Sequence, residues 1–79
     1  MSNLDKYNKS FVDSFAVDKT IINDELKFND IPEWDSIGHM TLMSSLEEEF
    51  KITIDTDDIV DFSSYTRGIE ILKKYKIDF

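Results

Sequence analysis

Asp35, Ser36 and His39 stand within five residues of one another in the stretch IPEWDSIGHM, Ile31 to Met40. That stretch also holds the only Trp, His and Pro of the chain. An acid, a hydroxyl and an imidazole are the three members of a hydrolase triad, so nucleophilic catalysis is the first chemistry to weigh. It fails on geometry. A base must reach the serine oxygen and be oriented by the acid, which normally takes residues converging from separate elements. Here all three share the first turn of one expected helix, and the flanks lack a G-x-S-x-G elbow. A second reading is structural: Asp and Ser are both favoured N-caps, accepting the unpaired amide hydrogens of a first turn. On the third reading, Ser36 receives a phosphate-linked group. A helix N-terminus offers free amides and a partial positive charge that suit a phosphodiester. Gly38 would keep that first turn uncluttered, and His39 reads as a polar residue on the exposed edge.

Other site chemistries find little support. With no cysteine in 79 residues, disulfides, thiolate metal sites and thiol redox chemistry of the polypeptide are excluded. One His cannot form a histidine metal site. Asp55, Asp57 and Asp58 suggest a calcium loop, but Ile59 and Val60 fall where that pattern needs Asp or Asn and Gly. The formal charge of −8 is concentrated: ten acidic residues and one basic residue lie between Phe28 and Asp61. Such a field repels nucleic acid and anionic membrane and attracts basic protein surfaces. The N-terminus is too polar for a signal peptide and no apolar run approaches membrane-spanning length, so cytoplasmic residence is expected.

The elements that must position Ser36 are legible from periodicity. Leu4, Tyr7, Phe11 and Phe15 recur at helical spacing and predict a first helix from Asn3 to about Ala16, capped by Ser2 or Asn3. Val17 to Glu33 has no sustained period. It reads as a long loop pinned by Ile21, Ile22, Leu26, Phe28 and Ile31, with a short turn near Asp24 to Lys27. Pro32 delays the next helix, which should run from Ser36 to about Phe50 with Ile37, Met40, Met43 (Leu42 beside it), Leu46 and Phe50 as its apolar stripe. Ile52 to Ile54 reads as an extended linker. A short third helix, Thr56 to Val60 with Ile59 inward, and a fourth, Tyr65 to about Tyr75 with Ile69, Leu72 and Tyr75 or Lys76 on one face, complete the chain. Gly68 should weaken the last helix slightly. The expected fold is one all-α domain, residues 1–79, a small bundle of three longer helices and one short one.

The stretch WDSIGHMTLMSSLEEEFKITI resembles the core motif of acyl carrier proteins, in which D-S-[LI] opens the second helix. D-S-I followed by L-E-E-E-F at this spacing, with the element order above, extends the resemblance over essentially the whole chain. It implies that Ser36 carries 4′-phosphopantetheine, attached by a separate phosphopantetheinyl transferase from coenzyme A, normally with Mg²⁺. Acyl intermediates would then ride as thioesters on that arm, the chain itself being no enzyme. By the same resemblance, Asp35 serves transferase recognition, and Ile37, Glu47, Glu48, Glu49, Asp57 and Asp58 face partner enzymes with basic patches. Met40, Met43 and Ile59 sit where the family lines its core or a cleft for the acyl chain. Reversing Glu47 and Glu48 should therefore slow transfer without unfolding the domain. Gly38, Thr41, Thr53 and Thr56 stand where many fatty-acid carriers are acidic, and the flavour of I-P-E-W-D-S-I-G-H-M resembles stand-alone carriers of specialised or polysaccharide pathways. A monomeric carrier is expected. The alternatives are a peptidyl, aryl or D-alanyl carrier, or a small acidic adaptor in which Ser36 is only a cap.

Overall fold

The computed structural model describes residues 2–79. Helix α1, Asn3–Phe15, starts at a capping box: the Ser2 hydroxyl accepts from the Asp5 amide and the Asp5 carboxylate accepts from the Ser2 amide. Tyr7, Phe11 and Phe15, four apart, place their rings on one buried face, while Leu4 is left 40% exposed. The helix stops at Ala16 in the left-handed conformation.

The long loop is pinned as expected at Leu26, with Ile22, Phe28 and Ile31 half-buried. Ile21 is exposed instead. A turn closes at Asn23 to Leu26 through a backbone hydrogen bond of 3.1 Å. The periodicity did not show a separate 3-10 turn, Lys19–Ile21, capped by Asp18. Further on, the loop is stitched to the segment before the last helix. The Phe28 amide donates to the Ser63 carbonyl at 3.0 Å and the Tyr65 amide to the Leu26 carbonyl at 2.9 Å, around a single antiparallel bridge of Lys27 and Ser64.

Helices α2, Ser36–Phe50, α3, Thr56–Asp61, and α4, Tyr65–Lys74, follow. Asp35 caps α2 and Ser64 caps α4, each through its side chain. Lys51 ends α2 in a left-handed conformation. This is the all-helical architecture expected, with α3 one residue longer and α4 one shorter than periodicity suggested. The helices share one core of Tyr7, Phe11, Phe15, Trp34, Leu42, Leu46, Phe62, Tyr65, Ile71 and Leu72, among others. Its centre is aromatic: Phe11 meets Trp34 edge-on at 5.4 Å between centroids, and Tyr7 meets Phe11 edge-on at 4.9 Å.

Two inward faces differ from the expected stripes. On α2 the buried residues are His39, Leu42, Met43 and Leu46, whereas Ile37 is 79% and Met40 52% exposed. The first turn is rotated because the Trp34 indole, buried just ahead of the helix, needs a hydrogen-bond acceptor, and His39 supplies it. On α4 the seam runs through Tyr65, Gly68, Ile71 and Leu72, and Ile69 and Tyr75 are half-buried at its edges. Gly68 lies at the closest approach: a methyl there would overlap the Tyr7 hydroxyl and the Phe62 ring. The glycine that costs helix propensity thus permits the packing of α1 and Phe62 against α4.

Candidate functional site

The site is built from the N-terminus of α2 and the elements facing it. Asp35 Oδ1 accepts the Gly38 amide at 2.8 Å, and the Asp35 carbonyl accepts the His39 amide at 2.8 Å. Asp35 is therefore the cap. Ser36 occupies the first helical position with its side chain exposed. Gly38 is also explained by contact rather than by backbone freedom, since a Cβ there would collide with the Glu33 carbonyl oxygen. The loop before the helix lies flat against its first turn only because residue 38 has no side chain.

His39 is not on the exposed edge. It is buried, and both ring nitrogens are engaged: Trp34 Nε1 donates to Nδ1 at 2.9 Å, and Nε2 lies 2.8 Å from the Ile59 carbonyl. An indole can only donate, so Nδ1 must accept. Nε2 then carries the hydrogen and donates to Ile59. With both nitrogens taken, the imidazole has no lone pair for the Ser36 hydroxyl, and the triad reading fails on the structure as it did on spacing. The same two bonds tie the loop, α2 and α3 together at one point. Breaking either leaves a buried polar atom unpaired, at about 1–3 kcal/mol each.

Beside Ser36 opens a groove of about 370 Å³, lined by Phe28, Ser36, His39, Met40, Ile59, Val60, Phe62 and Ser63. Of the three cleft candidates, Met40 and Ile59 line it. Met43 does not; it is 1% exposed and belongs to the core. Val60 was missed. Ile59 and Val60 are adjacent apolar residues on a six-residue helix, and both cannot face inward; Val60 is 79% exposed at the groove's rim. That adjacency was the available signal. Phe28, Phe62 and Ser63 come from segments whose meeting no local pattern reveals.

The acidic candidates separate into two kinds. Glu48, Glu49 and Asp57 are exposed. Glu48 continues the outward line Ile37, Thr41 and Ser44 along α2. Glu47 and Asp58 are committed within the fold. Glu47 Oε2 accepts the Ile54 amide at 2.7 Å, holding the linker that follows α2. Asp58 is buried, its two oxygens accepting from Lys74 Nζ at 2.6 Å and the Tyr75 hydroxyl at 2.5 Å. These hydrogen bonds, from Lys74 first and Tyr75 second, hold the Asp58 carboxyl below its ordinary value. Glu47 and Asp58 are thus ties within the fold, each carboxylate already engaged by groups of this chain. Asp61 is likewise paired, with Arg67.

Among the described residues no group of His, Cys, Asp and Glu is placed to hold a metal ion. No helix among them is long and apolar enough to cross a membrane. The chain is 30% identical over 76 residues to a protein named acyl carrier protein from Solidesulfovibrio magneticus, the match covering 96% of this chain and 97% of that one. No family model matches the chain. No solved structure matches it.

Proposed function

The chain belongs to the acyl carrier protein family, and from that premise we propose that Ser36 is the attachment point of 4′-phosphopantetheine, through which the protein delivers acyl groups to other enzymes. As a carrier it is not itself an enzyme. The observation that carries the assignment is the division of labour at the start of α2. Asp35 performs the capping, which frees an exposed Ser36 hydroxyl at the mouth of an apolar groove.

The residues present fit such a group. The N-terminal end of α2 favours a phosphodiester anion. Met40, Ile59 and Val60 offer apolar surface to a flexible arm, and Ser63 adds a hydroxyl at the rim. When bound, the group supplies the thiol that holds an acyl chain as a thioester, a function that this cysteine-free polypeptide cannot provide. Asp35 fixes the first turn through the Gly38 amide and so presents Ser36 in one orientation to a phosphopantetheinyl transferase. Exposed Ile37 and Met40 surround the serine with apolar contact surface, and Glu48 and Asp57 add negative charge for basic patches on acyl-loading and acyl-transferring enzymes. The protein acts as a cytoplasmic monomer in fatty-acid, specialised-metabolite or polysaccharide synthesis.

The test is direct. Incubation with coenzyme A and a promiscuous phosphopantetheinyl transferase should add one phosphopantetheine mass, and Ser36→Ala should abolish it. An unchanged intact mass would favour an acidic adaptor in which the start of α2 only binds protein.

A further inference from the structure

We infer that cargo on Ser36 lies along the outer groove, and that His39 shuts the bundle interior against it, so that this carrier is built for short acyl groups. The inference rests on the carrier reading above. Space is the first argument. A groove of about 370 Å³ stands at the small end of ligand pockets, roughly 300–1,000 Å³, and an arm rooted on Ser36 must share it with whatever it carries. The second argument is the floor. His39 lies at the groove's inner side, bonded to Trp34 of the preceding loop and to the Ile59 carbonyl of α3. A chain passing between α2 and α3 would have to part the His39–Ile59 bond and leave the imidazole N–H and the Ile59 carbonyl without partners.

The third argument concerns what lies around and behind the latch. Phe28, Phe62 and Trp34 surround His39 with centroids at 5.4, 5.9 and 6.2 Å. Trp34 and Phe62 are almost completely buried. Rings have few ways to rearrange, whereas unbranched Met side chains reshape a core readily. Here Met40, the Met of the groove, is exposed, Met43 is buried in the core outside the groove's lining, and the groups that border His39 are rings.

The experiment transfers acetyl-, hexanoyl- and dodecanoyl-4′-phosphopantetheine onto Ser36 from the matching coenzyme A thioesters, adenosine 3′,5′-bisphosphate leaving, with loading confirmed by intact mass. The Met40 and Val60 methyl resonances should shift on loading. The Trp34 indole N–H and His39 ring resonances should hold the same positions in all three forms, and hydroxylamine should cleave the three thioesters at the same rate. Movement of the indole resonance with chain length, or cleavage that slows as the chain lengthens, overturns the inference. Unmoved Met40 and Val60 methyls overturn the placement in the groove. A protein that gains no mass overturns the carrier reading itself, and this is read before any chain lengths are compared.

Discussion

Trp34 and His39 set the geometry around Ser36 without touching the chemistry. Trp34→Phe keeps a ring in the aromatic core but removes the donor that His39 Nδ1 accepts. The expected cost is about 1–3 kcal/mol, the range for a buried polar atom left without its partner. It should lower the urea midpoint, while Ser36 remains open to modification. An unchanged midpoint would mean the bond contributes nothing to the fold. At this scale the sequence was uneven in what it disclosed. A cap at Asp35 or Ser36 follows from rules confined to one turn, but both residue types satisfy those rules, and the choice of Asp35 rests on its bond to the Gly38 amide. His39 was misread because its role depends on an indole five residues before it and on a carbonyl in another helix. Polarity alone placed it in solvent, yet pairing made burial permissible.

Among the elements, α4 makes the sharpest test of packing against propensity. Gly68→Ala should gain up to about 1 kcal/mol of helix propensity and lose about 1–3 kcal/mol to overpacking against Tyr7 and Phe62. The net expectation is a destabilised protein with a lower melting temperature. A higher one would mean that the seam between α1 and α4 yields easily. Helix α3 depends on a different tie. Six residues make a poor helix by themselves, and its cap Asp55 has no side-chain cap bond. Asp58 instead holds it to Lys74 and Tyr75. Because the folded Asp58 carboxyl titrates below its unfolded value near 3.9, its contribution is complete above roughly pH 4 and is lost as pH falls through the folded value. Asp58→Asn should therefore lower the melting temperature at neutral pH, and the gap from wild type should close in strong acid. A gap independent of pH would assign the effect to shape rather than charge. The existence and order of the helices were readable because each buries a periodic stripe. The inward register of α2 and α4 was not, since a buried His and a glycine seam carry no hydrophobic signature.

For the molecule as a whole, the acidic middle of the chain is less uniform than its count suggests. Asp58 and Asp61 are neutralised by cations of α4, and Glu47 secures a backbone amide. Charge reversal should therefore separate two effects that the sequence combined. Glu48→Lys with Asp57→Lys should slow acyl transfer at low salt and leave the melting temperature unchanged, since exposed charges chiefly alter encounter rates. Glu47→Lys should lower the melting temperature through the lost Ile54 bond. Equal transfer rates for wild type and the double variant at low salt would remove this face from docking. The stitch between Leu26–Phe28 and Ser63–Tyr65 has a consequence in time. Its partners lie far apart along the chain, with all of α2 and α3 between them. Loop-closure entropy must be overcome before such contacts form. Local helices should therefore form before the stitch, and Phe28 and Ser63, two walls of the groove, should meet only after them. If the stitch is also the first contact to open, helical circular dichroism should outlast the recess beside the serine on unfolding, and simultaneous loss of both would refute it.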